Sequence, residues 1–352
     1  MAKPRSVTGL STGSDRDDVR IALARGLAFL DRAQLASGEF RVVTSLRRDM
    51  AGDCEVDPSI FPTALVAHCL SFARGAEEMR DRALAFLLAQ RDRHGLWRHW
   101  TTGHPFFRQL PPDMDDSCCV SAALAGAGSV EGADPALLLA NRDAQGMFLT
   151  WIVPRPRWTG AAHMRVTLPQ LRHLVTLWFF FRKTSAAPGD VDAGVNANCL
   201  HYLGDFPGHE RVVARLLDIL RHNGEADADK WYENPFVLWY FFARALGRRS
   251  AEARALLLAR LDAATPASAL ELALSIAARH YCDAPPQDGL VEALLARQSE
   301  DGSWPRAPVY FGGRERRRDG SLAPAHPDTP HWGSEELSTG FCIEALARSL
   351  PA

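Results

Sequence analysis

Three carboxylates in four positions, Asp113, Asp115 and Asp116, form the part of the sequence with the clearest chemical potential. Three like charges this close cannot all ionise cheaply once water is excluded, so at least one carboxyl is expected to keep its proton above the ordinary pKa. A carboxylic acid that is protonated at working pH can act as a general acid. We call these three residues the acid box, and one interpretation of it is acid catalysis.

Two other interpretations of the acid box stay open at this point. Small residues follow it and predict a helix through Cys119 to Leu124, for which Asp116 or Ser117 would be the N-cap. The remaining acids would then favour the positive end of the helix dipole. An Asp-x-Asp-Asp loop can also hold a divalent cation.

Composition narrows the class of protein. The chain has 352 residues, of which 47% are apolar and 23% are charged, and this balance is ordinary for a globular protein with a sizeable core. Forty basic residues against 42 acidic ones leave a formal charge of −2, which excludes a strongly basic nucleic-acid-binding footprint.

Cysteines and targeting signals point to the cytoplasm. None of the seven cysteines forms a Cys-x-x-Cys pair, so we expect reduced core thiols. Residues 1–18 are polar and lack the apolar centre of a signal peptide, which predicts a flexible tail before a single domain over 19–352. The most apolar run, residues 168–181, contains Arg172 and His173 and is too short to cross a bilayer.

Helical periods dominate the chain, and no run of alternating strands is evident, so we predict an all-α protein. A unit recurs at helix ends, in which Gln is followed by a glycine turn and an aromatic residue. Its copies are Gln34 to Phe40, Gln90 to Trp97 and Gln298 to Trp304, with a weaker copy at Gln145 to Phe148. The glycine would permit a left-handed turn, and the Gln amide would bond backbone groups freed at the helix end.

Repeated units of this kind predict stacked helical hairpins that close into an α/α barrel of about a dozen helices. Further helices are predicted over residues 61–73, with Ser59 as the cap, and over 194–203, 210–221, 234–246, 251–263, 267–281, 288–298 and 335–350. Residues 305–332 are the least regular part, and we expect an irregular loop or a lid there.

The glutamine-tryptophan units and the acid box together resemble class II terpene cyclases of the squalene-hopene cyclase and prenyltransferase/squalene oxidase repeat superfamily. The resemblance runs from about Leu27 to Trp304. It implies a cyclase for a linear isoprenoid or isoprenoid diphosphate, with Asp115, the middle aspartate, as proton donor to a terminal alkene or epoxide. Asp113 and Asp116 would be the flanking carboxylates that tune it.

The chemistry of such a cyclase requires electron-rich side chains, because a carbocation that spreads along a polyene must be sheltered without meeting a nucleophile. Eight aromatic residues are candidates for the substrate-binding wall, with plain core packing as the alternative for each: Trp100, Phe106, Phe107, Trp151, Trp158, Trp178, Trp239 and Tyr240.

The chain also departs from the family. Squalene-hopene-like cyclases pair two barrels, whereas this chain has length for one. Either a lone barrel holds the substrate, or a partner chain or second copy supplies a wall, or the activity has diverged. Ser117-Cys118 stands where the family commonly has Thr-Ala. An isoprenoid substrate also raises the prospect of peripheral contact with a membrane.

A second acidic cluster, Asp53, Glu55 and Asp57, is a candidate cofactor site. If the substrate is a diphosphate, Mg²⁺ could be held here, with Arg47, Arg48, Arg155 or Arg157 taking phosphate charge. A solvated loop with a helix cap at its end is the alternative.

Two other classes of protein remain in view. A protein prenyltransferase resembles such a barrel but needs Zn²⁺ held by Asp, Cys and His, for which only Cys282-Asp283 with His326 or His331 offers ligands, in the wrong order. A noncatalytic or carbohydrate-active α/α barrel would instead have a polar groove lined by acids.

Overall fold

The computed structural model describes residues 13–156 and 158–351, and most of them are helical. The helices in chain order are α1 (Gly13–Ala33), α2 (Ile60–Leu70), α3 (Glu77–Ala89), α4 (Met114–Gly126), α5 (Pro135–Ala140), α6 (Ala161–Thr167), α7 (Leu174–Lys183), α8 (Ala193–Leu203), α9 (His209–Arg221), α10 (Glu225–Ala228), α11 (Pro235–Leu246), α12 (Ala251–Ala263), α13 (Ala269–Tyr281), α14 (Leu290–Leu295) and α15 (Glu335–Ser349). A short 3₁₀ helix, Leu168–His173, precedes α7.

Within the described chain, six helices close into an inner ring. Helices α2, α4, α8, α11, α13 and α15 each pack on the next, and α15 packs back on α2. The ring is strongly apolar, and nearly every residue of α2 and α11 is buried. Helices α1, α3, α9, α12 and α14 pack against the outside of the ring. The predicted α/α barrel is therefore confirmed.

Five of the six inner helices described begin at a residue whose side chain caps them, and α8 is the exception. Side chains of Ser59, Asp113, Asn234, Ser268 and Ser334 accept a backbone hydrogen bond from the first turn of α2, α4, α11, α13 and α15. The prediction of Ser59 is confirmed, whereas that of Asp116 or Ser117 as the cap of α4 is wrong. Extended backbone at Asp113 lets its carboxylate accept from Asp116 N at 2.8 Å, so the helix starts earlier than the small-residue run indicated.

The recurring glycine turns have the left-handed backbone that the sequence predicted. Gly38, Gly95 and Gly302 have φ of 93°, 79° and 93°. A Cβ on Gly38 would collide with the carbonyl of Arg82, and one on Gly302 with that of Arg25, so both turns also require glycine for close approach.

The bonding in these turns differs from the prediction in one respect. The carbonyls of Leu87 and Leu294, in the last turns of α3 and α14, accept from the indole nitrogens of Trp97 and Trp304 at 2.7 and 2.8 Å. The amide of Gln298 donates instead to Gly302 O within the turn and to Ala22 O on helix α1, both at 2.9 Å. The indole therefore bonds the helix end, and the amide ties the turn to the neighbouring helix.

A small antiparallel sheet was not predicted. Its strands are β1 (Val43–Ser45), β2 (Glu55–Val56), β3 (Tyr310–Phe311) and β4 (His331–Gly333), in the order β2-β1-β4-β3. Trp332 pairs with Thr44 on one side and Tyr310 on the other, so the sheet joins the beginning of the chain to its end. Strands of two or three residues are too short to show an alternating pattern.

Three further expectations concern segments of the chain. Helix α1 begins at Gly13, inside the segment predicted as a tail, and residues 1–12 lie outside the described residues. Residues 305–332 contain β3 and are tied to the barrel by Arg316, which donates to Asp227 O at 3.0 Å; movement as a lid stays a prediction. Among the described helices, none combines the length and apolar character needed to span a bilayer.

Candidate active site

The three aspartates of the acid box lie at the start of α4 and differ in their exposure to solvent. Asp113 and Asp116 are 5% and 2% exposed, whereas Asp115 is half-buried. All three side chains border one cavity at the end of the barrel where the inner helices begin. Asp115 and Asp116 lie in the first turn of α4, where the helix dipole favours a carboxylate.

Two donors hold the carboxylate of Asp115. Asn198 on α8 donates from Nδ2 to Oδ1 at 2.7 Å, and the hydroxyl of Tyr232 donates to Oδ2. The orientation of the Asn198 amide is fixed, because Arg244 on α11 donates to its Oδ1 at 2.7 Å and a guanidinium has no acceptor. The NH₂ group of Asn198 must therefore face Asp115.

These contacts set the acidity of Asp115. Burial raises its pKa to about 6, while the hydrogen bonds from Tyr232 and Asn198 act in the opposite direction. The donors stabilise the carboxylate that remains after a proton is given away. The group is thus protonated at mildly acidic pH and has its conjugate base already solvated by the protein.

The flanking aspartates are also weak acids. Burial raises the pKa of Asp113, and burial together with the charges of Asp113 and Asp115 raises the pKa of Asp116 well above its usual range. Oδ1 of Asp116 is buried without a hydrogen-bond partner among the described residues. Nδ1 of His99 lies 3.9 Å from Asp116 Oδ2, and burial lowers the pKa of this histidine to about 4, so it is neutral near pH 7.

The cavity beside the acid box has a volume of about 180 Å³ and a predominantly apolar lining. It is formed by loops that precede the inner helices, by the strand pair β3 and β4, and by α7. Besides the acid box, its aromatic lining residues are Phe61, His99, Trp100, Trp151, Phe180, Trp231, Tyr232, Tyr310, Phe311 and Trp332. A carboxylic acid therefore opens onto an aromatic hollow.

The four tryptophans that line the cavity all donate their indole N–H to a carboxylate. Trp100 and Trp332 donate to Oδ2 of Asp57 at 3.3 and 2.7 Å. Trp151 donates to Asp190 at 3.3 Å, and Trp231 donates to Asp192 at 3.0 Å. The carboxylates of Asp57, Asp190 and Asp192 thus accept hydrogen bonds from the four indole rings and fix their positions in the cavity wall.

Two of these acids belong to a buried polar network. Asp190 forms an ion pair at 2.9 Å with Lys230, whose side chain is 2% exposed. Asp192 accepts from Thr150 at 2.7 Å, and burial raises its pKa to about 6. Because every member has partners, the network can hold the wall rigidly without leaving an unpaired charge.

Of the eight aromatic residues predicted to bind substrate, two line the cavity and six do not. Trp100 and Trp151 line the cavity, whereas Trp239 and Tyr240 are buried in the barrel and bond Glu225 and Glu344 at 3.1 and 2.8 Å. The other four do not line the cavity: Phe106, Trp158 and Trp178 are 49%, 74% and 59% exposed, and Phe107 lies under Arg98. Helical spacing alone could not tell a ring inside the barrel from one that faces the cavity.

The second acidic cluster does not converge on a cation site. Asp53 and Glu55 are exposed, while Asp57 turns inward to the two indoles and to His104 at 3.2 Å. Among the described residues, no group of three or more His, Cys, Asp or Glu is placed to hold a metal ion. The prediction of Asp53, Glu55 and Asp57 as one site is therefore corrected; Arg157 lies outside the described residues.

The other two classes of protein gain no support from the geometry. Cys282 is buried, whereas Asp283 is exposed and paired with Arg248 at 3.1 Å, so their side chains do not form a zinc site. Apart from the acid box the cavity is predominantly apolar, whereas sugar cleavage would be expected in a polar groove lined by acids.

Sequence reasoning missed most of the cavity wall, including Trp231, Tyr232, Tyr310, Phe311 and Trp332. One signal was present, because Trp231-Tyr232 shortly precedes the cap Asn234 and Trp332 precedes the cap Ser334. The aromatic residues just before these two caps thus face the cavity, whereas Tyr310 and Phe311 carry no such signal.

Comparison with known proteins supports the fold. No protein-family model and no curated protein matches the sequence. A protein from Actinoplanes of solved structure is 18% identical with a TM-score of 0.65, covering 94% of this chain and 99% of that one. Type II terpene cyclase MstE from Scytonema is 14% identical with a TM-score of 0.61, covering 94% and 98%.

A variant of MstE in complex with its substrate, geranylgeranyl dihydroxybenzoate, gives 16% identity and a TM-score of 0.59, covering 96% of this chain and 99% of that one. At these identities the likeness shows a shared helical-barrel fold.

Proposed function

We propose that the protein is a class II terpene cyclase, which cyclises a linear isoprenoid or isoprenoid-bearing molecule after protonating it, with Asp115 as the general acid. The single observation that carries this proposal is that Asp115, with its raised pKa, borders an apolar cavity walled by aromatic residues. Such a hollow suits a hydrocarbon chain better than a polar substrate. The shared fold with MstE, whose complexes hold an isoprenoid substrate and product, adds support.

The reaction balances without an added oxidant or reductant. The Asp115 proton is transferred to one carbon of a terminal alkene, whose π electrons form the new C–H bond and leave a cation on the other carbon. Internal double bonds then attack in turn, and the last cation loses a proton or is captured by a nucleophile. Solvent returns a proton to Asp115, so the net change is an isomerisation when a proton is lost at the end.

The aromatic wall would stabilise the cation. Indole rings attract cations electrostatically, and the carboxylates of Asp57 and Asp192 behind them add negative charge outside van der Waals reach of the substrate, whereas the charge of Asp190 is balanced by Lys230. The acids thus assist without offering an oxygen that could trap the intermediate. Asn198 and Tyr232 would stabilise the conjugate base of Asp115 at the same moment.

The experiment supplies purified protein with candidates from four classes: prenyl diphosphates with and without Mg²⁺, free prenyl alcohols, prenylated aromatic acids, and squalene-like hydrocarbons. Cyclised isomers are sought by mass spectrometry. The Asp115→Asn variant should fold and form no product, whereas Asp53→Asn, the same change at an exposed acid, should keep full turnover. Turnover retained by Asp115→Asn would remove this residue from the mechanism.

A further inference from the structure

The lysine and arginine side chains that are buried in the described chain differ in what balances their charge. They are Lys230, Arg244 and Arg279. Lys230 forms an ion pair with Asp190 at 2.9 Å, and Arg279 forms one with Asp262. Arg244 forms an ion pair with no carboxylate among the described residues, although a buried cation without a counterion is costly. The charge of Arg244 is therefore not explained by a conventional ion pair.

The guanidinium of Arg244 contacts an amide and two rings instead of an acid. Its Nη2 donates to Oδ1 of Asn198 at 2.7 Å. The ring centroids of Tyr240 and Phe241 both lie 5.2 Å from its Cζ, within the range of cation–π attraction. Its Nε is buried without a hydrogen-bond partner among the described residues. These contacts reduce the cost of burying the cation but leave its charge unbalanced.

Glu344 on α15 is another acid deep in the inner ring, but both of its oxygens already have partners. Arg348 donates to Oε1 at 2.9 Å, and the hydroxyl of Tyr240 donates to Oε2 at 2.8 Å. Glu344 therefore attracts Arg244 only from a distance, and its own charge is balanced by Arg348.

Asp115 supplies a counterion for Arg244 when it loses its proton. Asn198 donates from Nδ2 to Oδ1 of Asp115 at 2.7 Å, so a single amide joins the guanidinium to the acid. Before proton transfer this amide connects a cation to a neutral group, and afterwards it connects a cation to an anion. Burial raises the pKa of Asp115, and the charge of Arg244 acts in the opposite direction because it favours the carboxylate.

Arg244 is placed to act on Asp115 without touching a substrate. It lies in the last turn of α11, whereas the cavity is at the end of the barrel where the inner helices begin. Neither Arg244 nor Asn198 lines the cavity. An attraction that grows as Asp115 ionises stabilises the transition state of proton transfer more than the ground state.

We propose that Arg244 is a positioning residue whose charge stabilises the carboxylate of Asp115 through the amide of Asn198. A neutral donor would orient this amide equally well, so the charge is what the guanidinium adds. The effect on catalysis rests on the proposed function, whereas the effect on the ionisation of Asp115 does not.

The test follows the ionisation of Asp115 by NMR in the whole protein without any substrate. Aspartate is labelled with carbon-13 at the side-chain carboxyl, and the Asp115 signal is assigned by its loss in Asp115→Asn. Its chemical shift is then recorded from about pH 4 to 9. Because no turnover is measured, failure of this test is distinguishable from failure of the proposed function.

Variants of Arg244 separate its charge from its hydrogen bond. Arg244→Gln keeps a donor for Asn198 without the charge, and Arg244→Met puts an apolar side chain in the same space. Both should make Asp115 about a tenfold weaker acid, which is a rise of about one pKa unit. Arg244→Lys keeps the charge and should titrate like the parent, with a pKa of about 6. The matched control is Arg279→Gln, which removes a buried guanidinium that has its own partner, Asp262.

Other titratable groups act on Asp115 or Arg244, and all of them are kept in these variants. They are Asp113, Asp116 and Cys119 on α4, Cys199 and His201 on α8, His68 and Cys69 on α2, Asp229 and Tyr232 before α11, Tyr240 on α11, Tyr281 on α13, and Glu344 with its partner Arg348 on α15. Burial keeps the tyrosines and cysteines neutral near pH 7 by raising their pKa, and keeps both histidines neutral by lowering theirs. The contribution of the other carboxyls is common to all variants.

A kinetic readout applies to any substrate that the parent protein cyclises. In Arg244→Gln, kcat/KM at about pH 5 should fall about tenfold, and its decline with rising pH should begin about one unit higher, because Asp115 has become a weaker acid. A role confined to folding would leave the position of that decline unchanged.

Three results would overturn the proposal. The first is an Asp115 titration that stays at about 6 in Arg244→Gln and Arg244→Met, which would leave Arg244 with the orientation of Asn198 alone. The second is an equal shift in Arg279→Gln. The third is unfolding of both neutral variants while Arg244→Lys folds, seen by circular dichroism, which would make the cation a structural requirement.

Discussion

Two sets of tryptophans differ in what accepts the indole N–H. Trp97 and Trp304, in the glycine turns, are fully buried and donate to peptide carbonyls at helix ends. The cavity set consists of Trp100, Trp151, Trp231 and Trp332, and its members donate to the carboxylates of Asp57, Asp190 and Asp192.

The two kinds of acceptor, peptide carbonyl and carboxylate, differ in what they cost the stability of the fold. A peptide carbonyl is neutral and must be satisfied in any case, so the turn tryptophans stabilise the fold at little electrostatic cost. A buried carboxylate is costly, as the raised pKa of Asp192 reflects, and an apolar residue would be the cheaper choice for stability. Under the proposed function, the acids behind the cavity wall would therefore serve the cavity rather than the stability of the fold.

The largest expected effect is on stability at the turns. Trp97→Ala should lower the free energy of unfolding by about 3–5 kcal/mol, because it opens a cavity in the core and leaves the carbonyl of Leu87 without this donor. Urea denaturation measures the change. The same substitution at Trp178, which is 59% exposed, should cost less than about 0.5 kcal/mol. A small loss of unfolding free energy in Trp97→Ala would contradict the distinction between the turn tryptophans and the cavity tryptophans.

At the cavity the effect should fall on turnover instead. Asp57→Asn keeps an acceptor for Trp100 and Trp332 but removes the charge, so we expect kcat to drop about 10- to 100-fold while the unfolding midpoint changes little. Steady-state kinetics and thermal denaturation are measured on the same samples. Asp53→Asn is the control, and an unchanged kcat in Asp57→Asn would deny the acid a part in the reaction.

A third contrast is in pH dependence, because the acids of the cavity titrate and the peptide carbonyls of the turns do not. Asp115 of the free enzyme loses its proton as the pH rises through about 6, so kcat/KM should be highest below that pH and fall about tenfold per unit above it. A profile measured from about pH 5 to 8 tests this. A rate that is flat or rises across the range would be incompatible with Asp115 as the acid.

The smallest expected effect is on the stability of the acid box, where the capping oxygen of Asp113 can be separated from its charge. Asp113 caps α4, so Asp113→Ala should cost about 1 kcal/mol of stability, whereas Asp113→Asn keeps a capping oxygen and should cost only a few tenths. Denaturation of both variants compares them directly. Equal losses would mean that the charge of Asp113, and not its capping oxygen, stabilises the helix.

The sequence predicted the parts of this protein that depend on local pattern. The glycine turns, the helix ends and the acid box follow from residue types within a few positions of one another, so the barrel could be inferred from them. The exact start of α4 could not be predicted. The residue types alone do not show that the backbone of Asp113 is extended and lets its side chain cap the helix.

The cavity depends on contacts between distant segments. Tyr232 reaches Asp115 across 117 positions, and Asp57 meets Trp332 across 275. Nothing near Asp57 in the sequence distinguishes it from its exposed neighbours Asp53 and Glu55. The wall of the site could therefore be found only once the closed ring had brought the loops together.

The most direct test of the account is turnover in D₂O. Protonation of an alkene by Asp115, whose proton exchanges with solvent, should place one deuterium on a carbon of every cyclised molecule, detected by mass spectrometry and located by NMR. Cyclised product without that deuterium would mean that the reaction begins in another way, and the proposed role of Asp115 would be wrong.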